Sequence, residues 1–238
     1  MTRSKSGPPG NNSGGISGAI AGDLEPCGTC GRSVAPRALF CHACGAAQPP
    51  RALDPFTRLG LERRFDIDLE QLSKQHAGFT RAMDPERFAA RGPRQQANAK
   101  AQVDALREAY EVLRDPIRRA HALLSLLGGT PAASDEAVNG AGNGPENGDE
   151  EIADLAARLT RADDALELDR IGLDLGQRIE ACIKYLTPAF RKAQAASGPD
   201  SPPATDGAAR ILVRLERLEA LAADVRDRRA ARTPPART

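Results

Sequence analysis

Apolar residues recur at helical spacing over two long regions of the chain, and the stretches around them are polar or rich in Gly and Pro. In the first region, Asp54 followed by Pro55 predicts an N-cap and first helical position for a short helix through Leu59, which Gly60 ends. Asp68 predicts the cap of a second helix, 68–82, with Leu69, Leu72 and Phe79 on its apolar side. That helix must stop near Met83 or Asp84, because a residue before proline is pushed away from the α conformation. Residues 84–93 read as a loop. Beyond it, Val103, Leu106, Ala109, Tyr110 and Leu113 make the stripe of a third, long helix. Asp115-Pro116 opens a fourth, 117–127, closed by Gly128 and Gly129. The second region predicts three more helices. They run over 151–168 (Ile152, Leu155, Leu159, Leu166), 169–195 (Ile171, Leu175, Ile179, Ile183, Leu186, Phe190) and 208–228 (Ile211, Leu215, Leu218, Leu221, Val225).

The expected fold class is therefore mainly α. A tetracysteine zinc ribbon over 26–48 precedes a helical hairpin with flanking helices over 52–128, and an antiparallel three-helix bundle fills 151–230. Residues 1–25, almost free of large apolar side chains, read as a disordered tail, 129–150 as a flexible linker and 231–238 as a second tail. Composition supports this. With no Trp, two Tyr and six Phe, the core must be aliphatic, which suits helices rich in Ala and Leu better than a β-sandwich. No apolar run approaches the ~18 residues of a membrane span. No signal-like apolar segment follows Arg3 and Lys5, so a cytoplasmic location is expected. The net charge of +1 divides into +2 before residue 51, +3 over 51–128 and −4 beyond. That argues against an electrostatic nucleic-acid binder, and Phe40 alone offers no aromatic platform for bases.

Cys27-Gly28-Thr29-Cys30-Gly31 and Cys41-His42-Ala43-Cys44-Gly45 are two CxxCG knuckles. Each turn brings two thiolates toward one cation, and four together satisfy a closed tetrahedral structural Zn2+ site. Redox or disulfide chemistry is the alternative reading of the four. His42 could compete as a ligand, but Cys27, Cys30, Cys41 and Cys44 already fill the shell. With only Val34, Leu39 and Phe40 as large apolar residues, the block depends on metal to fold. Cys182, among Ile179, Ile183 and Leu186, reads as a core residue rather than a reactive thiol. The three histidines, His42, His76 and His121, are scattered, and no phosphate loop or nucleophile elbow occurs, so an enzyme is not expected.

Several segments resemble a J-domain, and more narrowly the HscB-type co-chaperones of iron–sulfur cluster assembly. They are Asp54-Pro55-Phe56-Thr57-Arg58-Leu59-Gly60-Leu61, Phe65-Asp66-Ile67-Asp68, Pro85-Glu86-Arg87-Phe88-Ala89 and Ala109-Tyr110-Glu111-Val112-Leu113-Arg114-Asp115-Pro116. Arg118-Arg119-Ala120 and Leu123-Leu124-Ser125-Leu126-Leu127-Gly128 extend the likeness. The acidic linker, the later three-helix segment and the tetracysteine module match that family's layout. The resemblance implies two partners, a DnaK/HscA-type chaperone and an iron–sulfur scaffold protein; charge and hydropathy argue against nucleic acid or membrane as a third.

One departure bears on the first partner. J-domains carry His-Pro-Asp after their second helix, and here Asp84, Pro85 and Glu86 stand there, followed by Arg87 and Phe88. In the family this tripeptide triggers ATP hydrolysis by the chaperone. A carboxylate cannot donate a hydrogen bond as an imidazole does. Nor is the 68–82 helix distinctly basic, since Lys74 and Arg81 are offset by Asp68 and Glu70. Weakened stimulation is thus expected, the alternative being a divergent J-like adaptor with none. For the scaffold, the family layout points to Ile152, Leu155, Leu159, Asp163 and Asp164.

Overall fold

A computed structural model describes residues 24–130, 148–196 and 204–232. The 1–25 tail, the 129–150 linker and the 231–238 tail therefore lie largely outside the described residues. Two short antiparallel strands, β1 (Glu25–Pro26) and β2 (Ser33–Val34), open the described chain. Five helices follow: α1 (Pro55–Arg58), α2 (Leu69–Ala82), α3 (Pro85–Ala89), α4 (Pro93–Arg114) and α5 (Pro116–Leu126). The last three are α6 (Gly148–Arg161), α7 (Ala165–Ala195) and α8 (Asp206–Arg232).

Local chemistry places the first helix boundaries. Asp54 and Asp115 accept from the backbone N–H of Thr57 (3.0 Å) and Arg118 (2.8 Å), and Asp68 accepts from Glu70 (2.8 Å) and Gln71 (3.1 Å). Asp84-Pro85 works the same way, and the expected 84–93 loop contains α3, capped when the Asp84 carboxylate accepts from Glu86 N–H at 3.0 Å. A second boundary also moves. The first helix of the C-terminal bundle ends at Arg161, because Asp164 caps α7 by accepting from Glu167 N–H at 2.6 Å. Leu166, expected on the earlier stripe, falls in the first turn of α7 and is 60% exposed.

Helices α2 and α4 form the hairpin, closed by α1, α3 and α5 around Phe56, Leu59, Leu72, Leu106, Leu113 and Leu123, all fully buried. Phe88 turns back from α3 into the same core. The C-terminal bundle packs Leu168, Ile171, Leu175, Leu186, Leu212 and Leu218 at its centre, with α7 against α8 along most of their length. Cys182 lies in this core, and burial pushes its thiol pKa up. One apolar core runs through both helical units. Phe65 stacks on Phe190 with ring centroids 5.5 Å apart, and the Arg119 guanidinium covers the Phe65 ring at 4.8 Å. Polar contacts frame the joint: Arg191 with Asp66, Gln194 with the Arg63 carbonyl, and His121 with Glu216.

Helix α6 is attached differently. It buries Leu155 and Leu159, packs the half-buried Ile152 against the same core, and adds ionic and polar contacts. Glu151 accepts from Arg178 (2.6 Å) and Arg214 (2.8 Å), and Arg158 reaches Glu167 and Asp174, each at 3.2 Å. Among the described residues no helix is long and apolar enough to cross a membrane.

Candidate metal centre and J-like loop

The two knuckles turn at Gly31 and Gly45, whose φ values of 73° and 68° belong to the left-handed region that favours glycine. Each knuckle is closed by a backbone bond, Gly31 N–H to Cys27 O and Gly45 N–H to Cys41 O, both 2.8 Å. This brings the Sγ atoms of Cys27, Cys30, Cys41 and Cys44 within 4.8 Å of one another. Across the knuckles, Cys27–Cys44 is 3.8 Å and Cys30–Cys41 is 3.7 Å. Four sulfurs placed ~2.3 Å from a central ion in a tetrahedron would lie about 3.8 Å apart, whereas a disulfide needs ~2.05 Å. The spacing therefore fits a metal ion and excludes a disulfide in this arrangement.

Two of the four sulfurs are favoured as thiolates and one is not. Backbone N–H groups of Thr29 and Cys30, with the Gln48 amide, push the Cys27 pKa down to about 6. The backbone at Cys44 lowers that of Cys41. At Cys44 the Ala46 N–H favours the thiolate, but burial and the neighbouring sulfurs prevail and push its pKa up to about 11. A divalent cation would relieve that crowding of negative charge. His42 is exposed, and the four-sulfur group does not include it.

Sequence reasoning missed the residues that hold this module in place. Gln48 is buried, and its amide N donates to Cys27 Sγ at 3.5 Å and to Ala46 O at 2.8 Å. From α4, Gln95 accepts from Ala47 N–H at 2.6 Å, Asn98 donates to Ala47 O at 3.0 Å and Gln102 donates to Gln48 O at 3.0 Å. The signal was present as uncharged amides at 95, 98 and 102, a helical stripe beside the apolar one.

Beside the cysteine module lies the segment that joins α2 to α4. Asp84 and Pro85 are half-buried, Glu86 and Arg87 are exposed, and Phe88 is buried. The Arg87 guanidinium donates to Arg81 O at 3.3 Å. The Asp84 carboxylate is spent on capping α3. Replacing it by a residue without such an acceptor should cost about 1 kcal/mol.

The C-terminal candidates separate. Leu155 and Leu159 are each 1% exposed and belong to the core, so they offer nothing to a partner. Asp163 is exposed, Asp164 caps α7, and Ile152 is half-buried against the core.

The fold then has named counterparts. Human co-chaperone protein HscB superposes with a TM-score of 0.70 at 19% identity, covering 87% of this chain and 99% of that one. The fold is that of HscB. Chaperone HscB from Vibrio cholerae superposes with a TM-score of 0.57 at 22% identity, over 75% of this chain and 99% of its own. In sequence, the chain is 38% identical over 76 residues to co-chaperone protein HscB of Proteus mirabilis (strain HI4320). That stretch is 32% of this chain and less than half (44%) of the HscB chain it matches. No family model matches the chain.

Within the hairpin shared with HscB, His76 lies flat against Tyr110, with centroids 4.4 Å apart, and its Nε2 is buried without a partner. Burial lowers its pKa. The unfolded chain therefore takes up this proton more readily. The stability that neutral His76 supports is full above the unfolded imidazole value of ~6.5 and is lost as pH falls through it. His76→Phe keeps the stack and cannot titrate. Melting curves should show wild type losing ground to this variant between pH ~7.5 and pH ~5, and parallel losses in the two would refute the assignment.

Proposed function

We propose that this protein is a co-chaperone-like factor of iron–sulfur cluster assembly. It links a DnaK/HscA-type chaperone to a cluster scaffold protein, stimulates the chaperone's ATPase weakly, and carries one structural Zn2+ on Cys27, Cys30, Cys41 and Cys44. The observation that carries the reading is the HscB fold over 87% of the chain, with Asp84, Pro85, Glu86, Arg87 and Phe88 at the turn between the hairpin helices. The chain's own role is to hold two partners at a fixed separation. Its continuous core makes the hairpin and the bundle a single lever, and no bond-making chemistry is assigned to it. Zinc supplies only a cross-link that gives the small cysteine module a shape. On the scaffold side, the surface open to a partner narrows to Ile152 and Asp163, with Asp164 beside them. A cytoplasmic site of action accords with these partners.

The adaptor reading, with no stimulation at all, is favoured by one specific feature, the Asp84 carboxylate that is engaged as a helix cap. Steady-state ATPase assays with the cognate chaperone separate the two. Weak stimulation by wild type is expected, and Asp84→His should raise it on the order of tenfold, the size of a modest interface hot spot. A wild type that stimulates strongly and is unmoved by Asp84→His would show that the tripeptide argument is wrong. No stimulation by either chain, together with no scaffold recovered by pull-down, would leave the adaptor reading in its place.

A further inference from the structure

The cysteine module has a small core of its own. It comprises Cys27, Val34, Cys41 and Ala46, and two of these four are metal-binding candidates. Without a metal it therefore cannot hold its backbone in one shape. Yet that backbone is what the neighbouring α3–α4 corner grips. Arg91 donates to Cys44 O at 3.3 Å and to Gly45 O at 2.6 Å, both within the second knuckle. Gln95 accepts from the Ala47 N–H, Asn98 donates to the Ala47 carbonyl, and Gln102 holds the carbonyl of Gln48, whose side chain touches the Cys27 sulfur. Arg91 is one residue from the start of the Gly92 cap, and its guanidinium lies 5.9 Å above the ring of Phe88 in α3.

From this geometry we infer that the metal bound by the four cysteines braces the α3–α4 corner, so that metal occupancy and the order of residues 84–98 are thermodynamically linked. Hydrogen bonds are directional, and this contact consists mostly of them. Peptide groups that scatter when the knuckles lose their ion can no longer meet Arg91, Gln95 and Asn98 together. Linkage is reciprocal, so a corner that grips less well must also lower the affinity for the metal. The Asp84–Phe88 segment thus reports the metal state of a module that is remote from it in sequence. The inference is independent of the co-chaperone reading, because every readout below is taken on the isolated chain and its ion.

The test is amide hydrogen exchange on the full chain, loaded with zinc(II) and then stripped with a chelator, with metal content measured in parallel. On stripping, amides of 25–48 should exchange freely and those of 86–98 on the order of tenfold faster, while the centres of α7 and α8 keep their rates. A corner whose rates do not change overturns the inference, as does an acceleration spread evenly through α7 and α8. The reciprocal arm uses the double variant Gln95→Ala, Asn98→Ala. Chelator competition should show its zinc(II) affinity weakened on the order of tenfold, as expected for two or three lost hydrogen bonds of ordinary strength. An affinity within twofold of wild type overturns the inference by itself, and so does a chain that takes up no metal.

Discussion

Cys41→Ser is expected to abolish stoichiometric metal binding and to unfold residues 25–48, the largest single effect available in this chain. Cys41 is fully buried, and its sulfur lies 3.7 Å from that of Cys30, so no water can replace it without opening the second knuckle. Structural zinc in modules this small supplies on the order of 10 kcal/mol of folding free energy, against which the apolar contacts of Val34 and Ala46 are minor. Serine keeps nearly the same volume but is a far poorer ligand at neutral pH. Metal analysis should fall from one equivalent per chain to near background. Circular dichroism should retain most of its helical signal, since α5, α7 and α8 make none of the module's bonds. A variant that still carries a full equivalent of metal would refute the four-sulfur site.

Phe190→Ala should cost the helical part about 3–5 kcal/mol, the range for truncating a large buried aromatic side chain. Phe190 is 1% exposed, and its ring serves both the bundle around α7 and the stack on Phe65. The expected drop in melting temperature is on the order of 10 °C for a chain of this size. Urea unfolding adds a second reading, because the cavity lies where the two helical units meet. Signals from the hairpin and from the bundle, coincident in wild type, should separate in the variant. A loss below about 1 kcal/mol, or transitions that stay superimposed, would mean that the Phe65–Phe190 contact does not join the units.

Where a boundary was written in a few adjacent residues, it could be read directly. Asp54-Pro55, Asp68 and Asp115-Pro116 behave as their chemistry dictates, and so do the two glycines that turn the cysteine knuckles. Asp84-Pro85 carries the same signal as the other Asp-Pro pairs, but the helix it opens is only five residues long, too short for an apolar stripe to mark, so the segment reads as a loop. The Asp163-Asp164 pair was hidden for another reason: Leu166 continues the preceding apolar spacing, and a periodicity argument cannot see that a cap interrupts it. Burial of Leu155 and Leu159 was legible as a stripe, but periodicity does not say whether a stripe faces its own bundle or a partner. The docking of the cysteine module was least accessible. It rests on amide side chains bonded to backbone N–H and C=O groups 48–54 residues away, and the amide stripe by itself does not say what it meets.

The Asp-Pro helix starts bear on the order in which this chain takes shape. A carboxylate cap and a proline with fixed φ act within one turn, so residues 54–128 can choose their helix limits before anything distant has arrived. Phe65 has no such autonomy. Its stacking partner lies more than a hundred residues later, so during synthesis from the N-terminus the ring can have Arg119 of α5 over it but must wait for its stack until α7 has been made. The hairpin can thus set its helix limits early, but its core is completed only from α7. The stacking of Phe190 on Phe65 is where the two helical units come to share one core.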